Sequence, residues 1–185
     1  MALTKTPICD YGTKAENFNL KSINSKIISL DEIKGKNGTL IMFICNHCPY
    51  VKAIIKDLVQ DCKELLREGI NSIAIMSNDT VNYSDDSFEN MIKFSKYHNF
   101  ENIEYLFDET QEIAKKYKAV CTPDFFGYNK NLELQYRGRI RELKNLKPIS
   151  SGESDLKIAM KMIAQLQKGP IKQFPSAGCS IKWIN

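Results

Sequence analysis

The segment Cys45-Asn46-His47-Cys48-Pro49 carries two thiols separated by two residues. A thiol attacks a disulfide only as a thiolate, and the unpaired N–H groups of a helix N-terminus favour that anion. Two thiols on one helical turn can close a disulfide. We therefore predict a redox centre in which Cys45 is the exposed nucleophile and Cys48 resolves the mixed disulfide. A protonated His47 would make the pair more oxidising, and Pro49 would stiffen the turn.

The same two thiols could instead form half of a zinc site. Zinc usually takes four ligands, commonly from two such cysteine pairs or from one pair and spaced histidines. The chain has one Cys-x-x-Cys pair and two histidines, His47 and His98. A metal-binding module built on Cys45, Cys48 and a histidine is therefore the less favoured alternative, and no metal is expected.

The apolar pattern puts the pair between a strand and a helix. Residues 39–44 form a nearly continuous apolar run after a loop, which is typical of a buried central strand. Pro49 suits a first helical position, and Gly69 suits a C-terminal stop. The helix between them has apolar residues at three- and four-residue spacing: Val51, Ile55, Leu58, Cys62 and Leu65.

Strands and helices alternate along the rest of the chain. The predicted elements are a hairpin within residues 18–30, a strand at 72–77, a helix capped by Asp85, Asp86 and Ser87, a strand at 104–107, a helix opened by a capping box of Asp108 and Gln111, a hairpin at 124–128 and 133–136, and a helix at 154–168. This order predicts an α/β fold, in which helices cover both faces of a mixed central sheet.

Length and composition favour one globular domain. The chain has 185 residues, 43% of them hydrophobic, and a formal net charge of +4. Its lysines are scattered, so no basic stripe predicts nucleic-acid binding. The N-terminus lacks the apolar run of a secretory signal, and no segment is long enough to predict a membrane span. We expect a cytoplasmic protein whose six cysteines are not a disulfide framework.

A second motif, Cys121-Thr122-Pro123-Asp124, opens the late hairpin. Together with the cysteine pair and the strand–helix order, it resembles the thioredoxin-like superfamily, within the redoxin branch of alkyl hydroperoxide reductases and thiol-specific antioxidant proteins. The resemblance covers residues 15–168, and the ending around Cys179 also resembles a redoxin subgroup. It implies a thioredoxin-like three-layer sandwich with an N-terminal β-hairpin. We expect one domain at 1–170 and a C-terminal tail at 171–185 packed on it.

The resemblance also implies roles for the second motif. Pro123 would be a cis-proline facing the cysteine pair, and Thr122 would offer its backbone to a substrate chain by short strand pairing. The redox centre would be the Cys45–Cys48 disulfide itself, with no other cofactor. The implied partners are protein or small-molecule disulfides and a thiol reductant, and the oligomeric state stays open.

Two departures from these relatives bear on the activity. Thioredoxins carry a buried aspartate six residues before the first cysteine, where this chain has Thr39; Asp79 could substitute, although it is more typical of a solvated strand end. Family peroxidases carry a proline and a threonine ahead of the reactive cysteine, and residues 40–44 contain neither. The sequence therefore favours a thiol–disulfide oxidoreductase, with a thiol peroxidase of antioxidant function as the alternative.

The remaining cysteines divide into two groups. Cys121 and Cys179 are candidates for extra redox thiols, although Cys121 could equally be a buried strand residue and Cys179 part of an anchoring tail segment. Cys62 is predicted to lie in the core, and Cys9 suggests no role. Arg137, Arg139 and Arg141 would share one strand face, which more often means a solvated edge than an acidic partner's site.

Overall fold

A seven-stranded mixed sheet forms the centre of the computed structural model, which describes residues 3–184. The strands are β1 (Leu3–Lys5), β2 (Asn19–Ser22), β3 (Ile27–Ser29), β4 (Gly38–Phe43), β5 (Ile70–Met76), β6 (Ile103–Phe107), β7 (Cys121–Thr122), β8 (Asp124–Asn129), β9 (Leu134–Tyr136), β10 (Leu143–Lys144), β11 (Lys147–Pro148) and β12 (Ala177–Ser180). The helices are α1 (Leu30–Ile33), α2 (Pro49–Arg67), α3 (Phe88–Tyr97), α4 (Glu112–Lys116) and α5 (Asp155–Leu166), with a 3₁₀ turn at Ser84–Asp86.

The strand order of the central sheet is β3-β2-β6-β5-β4-β8-β9. Strands β4, β5 and β6 are parallel, as strand–helix–strand crossovers require, whereas β8, β9, β2 and β3 pair antiparallel. The predicted α/β class with a mixed sheet and an N-terminal hairpin is confirmed. None of the helices among residues 3–184 is long and apolar enough to cross a membrane.

Two apolar layers cover the sheet because side chains of β4 alternate between its faces. Leu40 and Met42 pack in the layer that also holds buried residues of α2, α3 and α5. Ile41 and Phe43 belong to the opposite layer, with buried residues of α1 and α4. Burial of β4 on both faces explains its continuous apolar run. It also holds the C-terminal end of the strand in place, just before the cysteine pair begins.

Helix α4 differs from its prediction. It is a short helix of residues 112–116, and its N-cap residue Gln111 adopts a left-handed φ of 62° without a side-chain cap. Asp108 instead accepts hydrogen bonds from the N–H groups of Ile113 and Ala114, at 3.3 and 2.9 Å. The predicted capping box is therefore wrong, because Gln111 turns away and donates to the carbonyls of Ser77 and Lys182.

The C-terminal segment contains a strand that its sequence does not predict. Strand β12 lies between β1 and β7, antiparallel to both, and forms a separate three-stranded sheet. Beyond it, Lys182 N–H donates to Asn78 Oδ1 at 2.9 Å, and Ile184 N–H donates to Gln111 Oε1 at 2.8 Å. The segment is thus held on the body of the chain at several separate points.

Candidate functional site

The cysteine pair lies where β4 ends and α2 begins, as its spacing predicts. Cys48 is the N-cap residue of α2, with φ −63° and ψ 122°, and Pro49 takes the first helical position. Both cysteines are completely buried, so the expectation of an exposed Cys45 is wrong for this structure. The Cys45 sulfur is enclosed because the Thr122 hydroxyl lies 3.3 Å from it and His47 Nδ1 lies 3.9 Å from it.

Three thiols meet at the N-terminus of α2. Cys48 Sγ lies 3.1 Å from Cys179 Sγ, and it lies at the same distance from the Thr122 carbonyl oxygen. Hydrogen bonding from the Cys45 and Cys179 thiols, helped by the Val51 N–H group, lowers the pKa of Cys48 to about 5. The Thr122 carbonyl oxygen accepts from the Cys48 thiol and so opposes this shift.

The other two thiols carry the protons of this cluster. Hydrogen bonding to Cys48, burial and the nearby Asp86 charge raise the pKa of Cys45 well above its ordinary value. Burial and the hydrogen bond to Cys48 raise the pKa of Cys179 to about 12. The Cys45 and Cys48 thiols are therefore coupled, and the reduced pair gives up its first proton well before its second.

This coupling gives a testable titration. Reduced wild-type protein is expected to show a rise in ultraviolet thiolate absorbance with a midpoint near pH 5, and Cys48→Ser is expected to lack it. Cys9→Ser is the control, because burial raises the pKa of Cys9 to about 11 and its thiolate is absent in this range. A wild-type midpoint of about 8 or higher, the ordinary thiol range, would contradict the assignment.

Asp86 is a site residue that the sequence does not reveal. It lies in the 3₁₀ turn before α3 and is fully buried. Its carboxylate accepts four hydrogen bonds: from Asn46 N–H at 2.8 Å, His47 N–H at 3.3 Å, His47 Nδ1 at 2.7 Å and Asn78 Nδ2 at 2.8 Å. Asp86 therefore anchors both residues between the cysteines. The helix capping predicted for it is wrong, because Ser87 is the N-cap of α3.

The two positions considered for a buried acid have other roles. The Thr39 hydroxyl, on β4, accepts a hydrogen bond from the Gly35 N–H at 3.0 Å and so ties down the loop before the strand. Asp79 accepts from Val81 N–H at 2.9 Å and from Asn82, so it stabilises its own turn. Neither the Thr39 hydroxyl nor the Asp79 carboxylate contacts a cysteine. Within residues 3–184, Asp86 is the only residue whose acidic side chain is hydrogen-bonded to the Cys-x-x-Cys loop.

His47 is oriented by two contacts. Its Nδ1 donates to the Asp86 carboxylate, which can only accept, and its ring stacks on Tyr83 with centroids 6.0 Å apart. Asn46 is held in turn by the Tyr105 hydroxyl, which donates to Asn46 Oδ1 at 2.9 Å. The two residues inside the motif are thus fixed from the β6 and α3 side of the site.

Cys45, His47 and Asp86 are also the residues that could hold a metal ion. Cys45 Sγ, His47 Nδ1 and a carboxylate oxygen of Asp86 all lie within 4.8 Å of one another. This set differs from the one expected from the sequence, because Cys48 Sγ is directed to Thr122 and Cys179. His98 takes no part, since it closes α3 and packs against Phe94. The Nδ1–carboxylate distance of 2.7 Å is that of a hydrogen bond, which a metal would have to replace.

The Thr122–Pro123 peptide bond is cis, and the backbone of Thr122 lies against the cysteine pair. Its pairing edge is occupied by the chain's own C-terminus: Thr122 pairs with Cys179, and Cys121 pairs with Ser180. The Ser176 hydroxyl also donates to the Pro123 carbonyl at 2.8 Å. The edge that the family resemblance assigns to a substrate chain is therefore covered by β12.

The structure separates the two candidates for extra redox thiols. Cys179 joins the cluster through its contact with Cys48. Cys121 is buried, but successive strand residues face opposite ways, and its Sγ lies 3.5 Å from the Pro123 carbonyl oxygen rather than against another sulfur. Cys62 is in the core, where burial raises its pKa to about 12.

The three arginines after the hairpin do not form a solvated strand face, because β9 ends before them. Arg137 is buried and pairs with Asp124 at 2.9 Å, next to the cis-proline. Arg139 pairs with Asp155 and Arg141 with Asp57. The expectation of an exposed edge is therefore wrong, and all three cations are used within the chain.

An open cleft of about 530 Å³ lies beside the cluster. Its lining includes Pro123, Tyr50, Ile54 and Phe174, together with Ala177 at the start of β12. The cleft therefore reaches both the cis-proline and the strand that covers the dithiol.

Comparisons with known proteins agree with this geometry. Residues 11–143 match the family model described as the AhpC/TSA family. A structure of an uncharacterized conserved protein from Geobacillus kaustophilus is 36% identical, with a TM-score of 0.94, and the match covers 100% of this chain and 97% of that one. A hypothetical protein from Sinorhizobium meliloti is 31% identical over 97% of each chain, with a TM-score of 0.88.

More distant structures share the fold alone. A thiol:disulfide interchange protein of the thioredoxin family from Chlorobium tepidum is 18% identical, with a TM-score of 0.60, and the match covers 84% of this chain and 95% of that one. No curated protein matches the sequence. The predicted thioredoxin-like fold is confirmed by these neighbours.

Proposed function

Because the chain belongs to the AhpC/TSA family, a thioredoxin-like group of redox proteins, we propose that it is a thiol–disulfide oxidoreductase working through Cys45 and Cys48. The observation that carries the proposal is the buried thiol pair at the start of α2, which lies against the cis Thr122–Pro123 step. The proposed substrates are protein or small-molecule disulfides, and a thiol reductant would return the oxidised pair to the dithiol.

Cys45 is the proposed nucleophile, and the Cys48 thiolate is its proton acceptor. As Cys45 attacks a disulfide R–S–S–R′, its proton passes to Cys48, R′–S⁻ leaves, and a Cys45–S–S–R bond forms. Cys48 then gives its proton to the departed thiolate and attacks Cys45 Sγ, which releases R–S⁻ and closes the Cys45–Cys48 disulfide. In this scheme the departed thiolate takes the proton of Cys48, which in thioredoxins passes to the buried aspartate absent at Thr39.

His47, Thr122 and Pro123 are proposed to support the reaction, and Pro49 to fix the helix start. Substrate would reach the pair from the cleft beside Pro123 after β12 has left the Thr122 edge. The Asp86–His47 hydrogen bond would hold the motif's loop in place during that movement.

The test is reduction of insulin or oxidised glutathione with dithiothreitol as the electron source. Cys45→Ser is expected to lower the rate at least about 100-fold, the scale of losing a catalytic nucleophile. With oxidised glutathione and no dithiothreitol, Cys48→Ser is expected to stop after one step, with one glutathione bound per chain by mass spectrometry. Cys9→Ser is the control and keeps the wild-type rate. A Cys45→Ser variant as fast as wild type would show that the exchange does not proceed through Cys45.

A thiol peroxidase is the second candidate function, because the match to the AhpC/TSA family suggests it. Cys45 would become a sulfenic acid, with Cys48, Cys121 or Cys179 as the resolving thiol. Stopped-flow reaction with hydrogen peroxide separates the two activities. A rate no better than that of a free thiol excludes the peroxidase and leaves the exchange activity standing.

A further inference from the structure

The C-terminal strand brings a third sulfur to the atom that resolves the proposed exchange. Cys179 is 3% exposed, and its Sγ lies 3.1 Å from Cys48 Sγ. A disulfide bond is about 2.05 Å long, so a movement of about 1 Å would bring the two sulfurs to bonding distance. Of the four cysteines outside the motif, Cys179 has the sulfur that contacts the pair.

Backbone pairing on both sides holds this sulfur in place. Cys179 pairs with Thr122 on β7 and with Leu3 on β1, so its main chain is fixed between two strands. The preceding Gly178 lies against β7 so closely that a Cβ there would be 2.0 Å from the Thr122 carbonyl oxygen. This close approach seats Cys179 over the N-terminus of α2, and the Thr122 backbone contacts Cys48 on the same side.

We propose that Cys179 is a second resolving thiol, which takes the disulfide over from Cys45 by attacking Cys48 Sγ. The inference rests on the proposed exchange function and adds one step to it. The Cys179 thiol loses its proton as it attacks, the Cys48–Cys179 bond forms, and the Cys45–Cys48 bond breaks. Cys45 leaves with the electron pair and takes up the proton. The step is an internal thiol–disulfide exchange, so it needs no further oxidant.

The transfer has two consequences for the site. It returns Cys45 to the free thiol while the chain remains oxidised by two electrons. It also ties β12 covalently to the start of α2, and thereby keeps the Thr122 edge covered. The oxidised chain would then be unable to pair with a second substrate strand until a reductant opens the Cys48–Cys179 bond.

Tryptic mapping can identify the new bond, because the cysteines fall in separate peptides. Cys45 and Cys48 share residues 37–52, Cys121 lies in 119–130, and Cys179 lies in 173–182. After oxidation with one equivalent of oxidised glutathione and acid quenching, a Cys45–Cys48 disulfide is an internal loop of the first peptide. A Cys48–Cys179 disulfide is a cross-link between residues 37–52 and 173–182.

We expect the cross-link in at least about one tenth of the oxidised wild-type chains at equilibrium, since the two disulfides are linked by an exchange of comparable bonds. Cys45→Ser should still form it, because glutathione attached to Cys48 is displaced by Cys179. Cys45→Ser/Cys179→Ser should instead keep the glutathione. Cys121→Ser is the matched control from the same short sheet and should cross-link like wild type.

A wild-type cross-link below about one tenth of oxidised chains, with the internal loop forming normally, would overturn the role of Cys179 and leave the exchange function intact. A Cys179→Ser variant is expected to form the internal loop and no cross-link. If neither loop nor turnover appears in wild type, the exchange function itself is wrong. The two failures are therefore distinguishable in one set of samples.

Discussion

Replacing Gly178 with alanine is expected to raise the rate at which iodoacetamide labels the Cys45–Cys48 pair by about 10- to 100-fold. The new Cβ would lie 2.0 Å from the Thr122 carbonyl oxygen and 2.6 Å from its carbon, which are backbone atoms that cannot rotate away. Overpacking of this kind costs about 1–3 kcal/mol. Because Cys45 and Cys48 are completely buried, labelling requires β12 to leave β7, and this opening becomes easier by that amount.

The chain contains its own control for global unfolding. Cys62 is completely buried in the core on α2 and falls in a separate tryptic peptide, residues 57–63. Its labelling reports opening of the whole domain, whereas labelling of residues 37–52 reports opening of the site. In Gly178→Ala, we expect the labelling rate of residues 37–52 to rise more than the labelling rate of Cys62. Ser180→Ala, which adds no atoms to β12, should leave the ratio of these two rates near the wild-type value.

An equal rise in both rates would mean that Gly178 stabilises the whole fold rather than a separate cover. Unchanged site labelling would mean that β12 does not control access to the dithiol. Either result would also weaken the proposed route for substrate, which requires the Thr122 edge to be uncovered.

The elements that the sequence predicts well are those with a long periodic pattern. Strand β4 is buried on both faces, and α2 repeats its apolar positions over five turns, so neighbouring residues alone identify them. Strand β4 and helix α2 are also adjacent in the chain, so the sequence alone places the Cys45–Cys48 pair between a strand end and a helix start. The site's chemistry is predictable where it depends on residues adjacent in the chain.

The parts that were missed depend on contacts between distant residues. Asp86 is 39 positions from His47, and its local sequence has the pattern of an ordinary helix cap. Strand β12 has four residues, too few for a period to be visible, and its partners are β1 and β7. The capping box at Asp108 failed for the same reason, since Gln111 bonds to Lys182, 71 residues away.

Arg137 is the residue whose environment differs most from its prediction, and its removal should have the largest effect on stability. It is buried on the side of the cis-proline loop, where its guanidinium contacts both carboxylate oxygens of Asp124 at 3.3 and 2.9 Å. It also donates to the Lys118 carbonyl at 2.8 Å. Arg137→Met is expected to lower the free energy of unfolding by about 3–5 kcal/mol at pH 7, because a buried carboxylate loses its partner.

The loss should depend on pH in a defined direction. Burial raises the pKa of Asp124, and the Arg137 hydrogen bonds and charge oppose that rise. Without Arg137 the folded-state pKa rises further above the unfolded value, so the folded variant binds a proton that the unfolded chain releases. Stability from that proton is present below the unfolded pKa and is lost as pH rises through the folded one. The deficit should therefore be smaller near pH 4 than near pH 7.

Urea unfolding at the two pH values tests this, and two further variants locate the cause. Asp124→Asn/Arg137→Met should recover part of the lost stability at pH 7, because it removes the unpaired charge and keeps an oxygen for the Val120 N–H group. Arg139→Met, which breaks the partly exposed pair with Asp155, should cost about 1 kcal/mol or less. The stability deficit of Arg137→Met could be the same at both pH values and unchanged in the double variant. That result would assign the loss to packing on Phe126 rather than to the Asp124 charge.

Iodoacetamide labelling gives a second check on the charge explanation, because Asp124 directly follows Pro123. The explanation requires faster labelling of the Cys45–Cys48 pair in Arg137→Met than in Arg139→Met.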